Sequence, residues 1–542
     1  MAELFGLMQD TPLTVDRFLD HGATWHGDRE IVSRAADGSI SRTDYRRLHQ
    51  TARQVSDALL AAGIARRDRI ATLGWNGARH MAAWYGTTNV GAVCHTLNPR
   101  LFPEQIAWIA AHAGDRLLLA DPACAGLAAR LVRDVPSIEQ VVFLCDRATL
   151  PATDYPAVAF DDWIAPHAGS AAWGGFDERL ACGLCYTSGT TGDPKGVLYS
   201  HRSNYLHTMM ALQADALALT QRDTVLLVVP MYHANAWGVV YAAPAAGAKL
   251  VLPGARMDGE SLYELIEQEG VTFSAAVPTV WQGLLHYLRG TGRAFSTLHR
   301  VVIGGAAPPP ALIRAFQDDY GVEVVQGWGM TETSPLATLS SPTAEVLAQP
   351  YEEQVRRKAM QGRLQVGLDF RLVDDAGQPL PHDGQTAGRL LIRGATITSG
   401  YFRDDTPVLD ADGFFDTGDV ATIDASGYMH ITDRAKDIVK SGGEWISSIE
   451  IENIASGHPA VAIAAVIGVA HPKWDERPIL LVQPAPGQTP DKAELLAYLD
   501  GKIARWWMPD DVLVVDAIPL GATGKIDKKL LRRQFADYRL PG

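Results

Sequence analysis

The sequence has no segregated block of basic residues. Its 48 Lys and Arg are scattered and outnumbered by 62 Asp and Glu, for a formal net charge of -14. A surface that tracks nucleic-acid phosphates by charge is therefore not expected, and any anionic ligand must be held locally. Cysteine is scarce, with five residues at 94, 124, 145, 182 and 185. One Cys-x-x-Cys pair, with no second pair to complete a zinc site, reads as structural. If 180–186 is a strand, Cys182 and Cys185 point to opposite faces, which argues against a redox couple. A long unbroken apolar run is also missing. The best candidate, 236–253, is interrupted by Pro244 and Lys249 and rich in Ala and Gly, so it reads as a core helix followed by a strand. The first residues, with Glu3, Asp10 and Asp16, lack a basic region leading into an apolar one. No secretory signal is expected, and the expected compartment is the cytoplasm.

What is present is a long chain of 542 residues with 47% hydrophobic content, enough for several packed domains, since single cores stop growing near ~250–300 residues. Segment 68–121 alternates strand (69–73), helix (77–90), strand (92–97), helix (103–113) and strand (116–120). The order returns in 223–277, with apolar strands near 225–229, 249–252 and 271–276, and again in strand 300–303, helix 311–320 and strand 322–326. Such alternation predicts mostly parallel, helix-covered sheets, in two related α/β halves. From 362 to about 432 the texture changes to short alternating runs, such as 370–373 and 390–392, separated by Asp-Gly and Asp-Ala-Gly turns, as in a β-rich subdomain. The last hundred residues read as a small α+β domain, with a helix near 449–455, strands near 461–469 and 478–482, a helix near 493–503 and a basic tail. The expected division is 1–432, a hinge at 433–436, and 437–542.

Strand 184–186 runs into Thr187-Ser188-Gly189-Thr190-Thr191-Gly192-Asp193-Pro194-Lys195-Gly196. Glycines admit close backbone approach, hydroxyls donate, and one lysine supplies a mobile point charge, a set suited to polyphosphate. The spacing is not that of the Walker loop, because Gly189, Gly192 and Gly196 surround Lys195 differently. A bare Ser/Thr/Gly run of this kind is often only a surface turn, but the full decapeptide closely resembles the signature of the adenylate-forming superfamily of acyl-CoA synthetases, luciferases and peptide-synthetase adenylation domains. Other segments agree. Gly304-Gly305-Ala306-Ala307-Pro308 and Gln326-Gly327-Trp328-Gly329-Met330-Thr331-Glu332-Thr333 resemble the family's adenine-binding segments. The resemblance implies Trp328 stacking on adenine, Thr331 beside the α-phosphate, and Thr187 and Glu332 as oxygen ligands to a phosphate-bound magnesium ion. Asp416-Thr417-Gly418-Asp419 and Thr432-Asp433-Arg434-Ala435-Lys436-Asp437 resemble its ribose-binding segments, with Asp419 and Arg434 on the sugar and Lys436 at the hinge position.

Lys440-Ser441-Gly442-Gly443 resembles the loop that enters the site for thioester formation with coenzyme A, and Lys525, in Thr523-Gly524-Lys525, matches the family's catalytic lysine. Met231-Tyr232-His233-Ala234-Asn235-Ala236-Trp237 occupies the place of its acyl-pocket segment, which also includes Gly304, and puts His233 and Trp237 four apart on one expected helical face. Taken singly, Trp237 and Trp328 read as core aromatics, His233 as a structural histidine, Glu332 as a surface acid and Lys525 as part of a solvated basic tail. The resemblance covers nearly the whole chain. It implies an AMP-forming acid:thiol ligase in which Lys525 serves adenylate formation, and rotation about Lys436 then brings Lys440 and its neighbours to the same site. Within the superfamily, Asn235-Ala236-Trp237, Gly327-Trp328-Gly329 and Arg505-Trp506-Trp507-Met508-Pro509 are similar to those of medium-chain acyl-CoA synthetases, including the methylmercaptopropionate:CoA ligases. Short to medium acids are therefore expected, with 3-(methylthio)propionate as the specific candidate, and a homodimer is implied. Loading of a carrier protein and luciferase-like oxygenation share the first half-reaction and stay open. An inactive adenylate sensor should lack one of Lys525, Glu332, Asp419 or Arg434, and all four are present.

Overall fold

Short β-branched and Leu-rich runs bounded by turns form the strands, and the helix boundaries follow the local chemistry. Helix Pro103–Ala113 starts with Pro in its first turn and ends at Gly114, whose φ of 69° closes it in the left-handed region. The computed structural model describes residues 4, 6–187, 193–434, 436–442, 444–521 and 525–540, and the side chains of Asn235 and Glu444 lie outside that description. Two large sheets dominate. The first has seven strands, in the spatial order Ala157–Ala159, Gln140–Phe143, Asp115–Ala120, Arg69–Leu73, Val93–Leu97, Ala181–Tyr186 and Gly196–Ser200. All its pairs are parallel except the last, a hairpin whose connection is 187–195.

The second sheet has nine strands, with a parallel centre of Glu323–Gly329, Arg300–Ile303, Phe273–Ala276, Thr224–Leu226, Lys249–Leu252 and Glu30–Arg34 and antiparallel pairs at both ends. The two α/β segments foreseen in the sequence thus lie in separate sheets, and the third unit extends the second of them. A four-stranded antiparallel sheet follows, in sequence order: Leu368–Val373, Gly388–Gly394, Phe415–Ile423 and Met429–Arg434. After it come Val439–Ser441, Glu444–Ile446, Val461–His471, Asp475–Pro484 and Asp511–Val514, joined in one sheet with helices Ser448–Ala455, Lys492–Leu499 and Lys528–Gln534.

Three elements differ from expectation. The helix near 493–503 stops at Leu499, where Asp500 turns extended. Strand 225–229 ends at Leu226. Beyond it the chain peels away toward 231–237, and the buried Asn76 amide satisfies it, donating to the carbonyls of Leu227 (2.7 Å) and Val229 (2.8 Å) and accepting from Met231 N–H (2.7 Å). Helix 311–320 is regular only over Pro310–Arg314 and then widens to π winding over Ala315–Asp319. The cysteines are all buried and none is in a disulfide; Cys185 meets Thr96 Oγ1 at 3.2 Å and Cys182 meets Asn204 Nδ2 at 3.2 Å, on different elements. No helix of the described residues is long and apolar enough to cross a membrane.

Close packing of helix Tyr45–Ala61 on helix Ala78–Thr88 depends on Gly86, where an added Cβ would lie 2.6 Å from both Ala52 O and Val55 Cβ. Gly86→Val is therefore expected to destabilise the protein by about 1–3 kcal/mol through overpacking. Gly283→Ala, in helix Pro278–Thr291 with nothing within 4 Å of the new Cβ, should stabilise it by about 0.5–1 kcal/mol. Thermal melting of the two variants beside wild type checks the contrast; equal melting points would show that Gly86 is not a packing constraint.

Candidate active site

The carboxyl ends of parallel strands in an α/β sheet gather loops on one side. In the second sheet those loops are 227–238 after Thr224–Leu226, Val277 after Phe273–Ala276, and 304–308 after Arg300–Ile303. They meet closely. A Cβ on Gly304 would lie 2.8 Å from Trp237 Cη2, and one on Gly305 would lie 3.1 Å from Val277 Cγ1, 3.9 Å from Lys525 Cε and 4.0 Å from Trp237 Cζ2. Any side chain at 304 would thus displace the half-buried indole. Ala306 is exposed and Pro308 buried, with Ala307 between these extremes.

The helical face expected for His233 and Trp237 is not formed. Ala234, Ala236 and Trp237 have φ of 31°, 49° and 54°, so the turn Ala234–Trp237 winds in the left-handed region and sets Trp237 against Gly304 by a different route. Such backbone costs roughly 1–2 kcal/mol per residue and persists only where its surroundings hold it; the Asn76 bonds to the preceding segment supply part of that hold. Burial, then Lys525 and Arg100, lowers the His233 pKa to about 4, so its imidazole is neutral at pH 7.

The four-stranded sheet contributes charge. Asp419 and Arg434 are register partners on adjacent strands, with Arg434 Nε 2.7 Å from Asp419 Oδ1. The other Asp419 oxygen accepts from Trp328 Nε1 at 3.0 Å. Trp328 is only 8% exposed and packs edge-on against Phe370. Burial raises the Asp419 pKa, opposed by Arg434 and then Trp328. Glu332, in the short turn Thr331–Thr333 just after Gly329, is likewise raised by burial, and its Oε1 accepts from Tyr401 Oη at 2.9 Å. The Thr331 carbonyl accepts from Tyr199 Oη at 2.7 Å. Lys195 Nζ sits 4.5 Å from the centre of the Tyr401 ring, and Thr187 and Lys195 close the base of their loop, Thr187 N–H on Lys195 O at 2.9 Å and Lys195 N–H on Thr187 Oγ1 at 3.2 Å. Ser188, Gly189, Thr190, Thr191 and Gly192 lie outside the described residues.

Lys525 reaches this cleft from the C-terminal region. Its loop is closed by Gly521 N–H on Lys525 O (2.7 Å) and Asp527 N–H on Pro519 O (2.9 Å). The side chain still meets solvent, yet enough protein surrounds it that desolvation, then Arg434, lowers its pKa to about 8 against the opposing pull of Asp419 and Glu332. Charged groups of both signs, all partly stripped of water, converge where an anionic ligand and its counter-ion would compensate them. The buried Glu332 carboxylate and the Thr187 hydroxyl are oxygen donors of the kind magnesium takes, an ion that keeps most of its coordination for water and phosphate oxygens.

Lys440, Ser441 and Gly442 are not brought here. Lys440 N–H donates to Glu476 Oε2 (3.1 Å), Ser441 Oγ accepts from Arg477 (3.2 Å), and Gly442 packs between Trp474 and Trp506. Gly443 lies outside the description. Tyr401 and Tyr199 went unnoticed in the sequence: a lone tyrosine in a loop or strand carries no signal until the fold sets it against Glu332 or Thr331.

Two family models cover the chain: AMP-binding enzyme matches residues 19–402 and AMP-binding enzyme C-terminal domain matches 450–525. The chain belongs to the AMP-binding enzyme family. It is 48% identical over 536 residues to the 3-methylmercaptopropionyl-CoA ligase of Ruegeria pomeroyi, covering 98% of this chain and 99% of that protein. It is 44% identical over 538 residues to the medium-chain-fatty-acid–CoA ligase of Ectopseudomonas oleovorans, covering 99% and 98%. The crystal structure of an anthranilate CoA ligase in complex with anthranoyl-AMP superposes with a TM-score of 0.85 at 25% identity, over 97% of this chain and 99% of that one. This AMP-binding enzyme is an AMP-forming acyl-CoA ligase whose substrates are ATP, a carboxylate and coenzyme A.

If the charge on Lys525 is used in the first step, the pH dependence has a defined sign. The ammonium is present below about pH 8 and lost above it, so kcat/KM for ATP in pyrophosphate release should fall as pH rises through about 8, this parameter reporting the free enzyme. Lys525→Arg, whose guanidinium does not titrate in this range, should remove that alkaline limb even if it lowers the plateau. A limb unmoved in the variant would assign it to another group.

Proposed function

We propose that this ligase activates short- to medium-chain acids, with 3-(methylthio)propionate as the specific substrate, and that Lys525 is its adenylation lysine. The observation that carries the role of Lys525 is its position beside Gly305, in the cleft that also holds Glu332, Asp419 and Arg434. A carboxylate resists direct attack by a thiol because oxide is a poor leaving group. Its oxygen therefore attacks the α-phosphorus of ATP, the bond to the β-phosphate oxygen breaks, and pyrophosphate leaves. Lys525, protonated, would lie between the approaching carboxylate and the α-phosphate and offset the charge that accumulates there. Asp419 would accept from the ribose hydroxyls, oriented by Arg434 and Trp328, and Thr331 would lie beside the α-phosphate. A magnesium ion held by Glu332 and Thr187 would neutralise phosphate charge when bound. In the second half-reaction the thiol sulfur attacks the acyl carbon and AMP departs. We place Lys440 to Gly443 at the site in that step, after rotation about Lys436.

The substrate reading rests on the half-buried Trp237 indole against Gly304 and on the names of the relatives. An indole there limits depth, and a sulfur in place of a methylene is nearly isosteric, so discrimination between the thioether acid and pentanoate should amount to only about 1–3 kcal/mol. The neutral His233 is suited to an apolar chain. Cytoplasmic residence is supported by five cysteines without a disulfide.

Lys525→Ala is expected to lower acid-dependent pyrophosphate release roughly 10²–10³-fold while thioester formation from preformed acyl-AMP and CoA survives. Equal loss in both assays by a folded protein would make Lys525 structural or shared. In a screen of acetate, butyrate, hexanoate, octanoate, benzoate and 3-(methylthio)propionate, kcat/KM should peak at the thioether acid or the medium chains, and Trp237→Ala should move the optimum to longer acids. Exclusive use of benzoate would overturn the substrate assignment, and an unchanged chain-length profile would remove Trp237 from the pocket.

A further inference from the structure

The helix after the Lys525 loop starts with a lysine that is buried, not solvated. Lys528, first residue of helix Lys528–Gln534, has Nζ 2.7 Å from Glu452 Oε1 and donates to Ser448 Oγ at 2.5 Å. Ser448 in turn gives both its hydroxyl (2.6 Å) and its backbone N–H (2.7 Å) to one carboxylate oxygen of Asp433. Glu452 also accepts from Val466 N–H at 2.6 Å, and all four side chains are buried. A second pair, Arg532 with Asp437 at 2.8 Å, and a bond from Ser447 Oγ to the Thr432 carbonyl run alongside.

The placement of these groups along the chain matters. Asp433 belongs to strand Met429–Arg434 and is held by register to Val420 on the neighbouring strand, so it moves with the four-stranded sheet. Ser448, Glu452 and Lys528 all follow Lys436. Asp433 opens the expected hinge segment yet stays in the strand before Lys436, so the chain is bridged across the Lys436 pivot by one cation set between two acids, one before it and one after. Lys528 is three residues from Lys525, at the base of the loop closed by Asp527 N–H on Pro519 O.

We propose that Lys528 is a positioning residue for adenylation: by joining Asp433 to Glu452 through Ser448, it holds the C-terminal region in the orientation that places Lys525 in the cleft. This rests on the reading of Lys525 as the adenylation lysine and of Lys436 as the pivot. Rotation at Lys436 must part Asp433 from Ser448 and Lys528, whereas Glu452 and Lys528 travel together. Removing the ammonium therefore acts unequally on the two orientations. With Lys525 in the cleft, Asp433 and Glu452 face one another with no cation between them; after rotation, only Glu452 is left alone. Burial raises both carboxyls, Glu452 to about 7 even beside Lys528. Without the ammonium the pair must therefore either repel or take up a proton, a cost carried by the orientation that holds the two acids together. A bias lost from one of two states shifts their populations by the same factor.

The test is Lys528→Met in the full-length enzyme, assayed in each half-reaction beside Lys525→Ala. Lys528→Met should slow acid-dependent pyrophosphate release about tenfold or more, a shift of ~1.4 kcal/mol or more in the equilibrium between orientations, while thioester formation from preformed acyl-AMP stays within about twofold. Lys528→Arg should restore most of the loss, and Lys528→Met/Glu452→Gln, which removes the unpaired carboxylate along with the cation, should recover part of it. Equal loss in both half-reactions, no loss in either, or no recovery in the double variant would overturn the proposal. If Lys525→Ala itself leaves pyrophosphate release unchanged, the reading of Lys525 has failed instead. Thermal melting of each variant separates these outcomes from unfolding, because a merely structural Lys528 lowers both half-reactions with the melting point.

Discussion

The ion pair of Arg434 and Asp419 is the fixed point from which the rest of the cleft is laid out. Two antiparallel strands place these side chains opposite one another, so register alone brings the guanidinium within 2.7 Å of the carboxylate. Asp419 is buried, and a buried carboxylate is tolerable only when its oxygens are engaged; Arg434 takes one and the Trp328 N–H the other. That second bond ties the four-stranded sheet to strand Glu323–Gly329 of the large sheet, and the short turn holding Glu332 follows directly. Lys525 then meets a cleft whose charges of both signs already stand in place, and its pKa is lowered first by desolvation in the enclosing protein and then by Arg434.

Much of this was legible beforehand, and the reasons are local. Strands such as Lys249–Leu252 and Arg300–Ile303 were recoverable because their apolar runs are bounded by Gly, Asp or charged turns, and Pro103–Ala113 because proline and glycine mark its ends. The site motifs were read by a different route: 187–196 and the segments around Trp328, Asp419, Arg434 and Lys525 resemble the adenylate-forming superfamily, whereas residue chemistry alone leaves a Ser/Thr/Gly turn open to a plain surface reading. Where the reading stopped, the missing information was tertiary. Strand 225–229 has the composition to continue, but Asn76, some 150 positions earlier, competes for its backbone. The basic tail reads as solvated because charge runs usually are, yet Glu452 and Asp433 draw Lys528 inside. Tyr401 could not be singled out, since only the fold sets its hydroxyl on Glu332.

The C-terminal sheet keeps the 440–442 segment in a stable resting place, with Arg477 reaching Ser441 Oγ and the carbonyls of Trp506 and Met508 while also pairing with Asp510. A loop so tethered reaches a new position only if the whole sheet moves as a body. The same rigidity that stores it outside the cleft would deliver it intact, without a folding step in each turnover.

The left-handed turn at Ala234–Trp237 has a consequence for how such a pocket can change over evolutionary time. Backbone handedness, not side-chain choice, decides where the indole points, and the two alanines in the turn are small enough to accept positive φ without a branched Cβ. Replacement of either by a β-branched residue would push the turn back toward ordinary winding and swing the ring away from Gly304. With the indole as a wall of the proposed acyl pocket, the depth of that pocket would be set in part by the handedness of this turn. A family of such proteins could diverge in chain-length preference with every wall residue unaltered, and comparison of pocket linings alone would miss the cause.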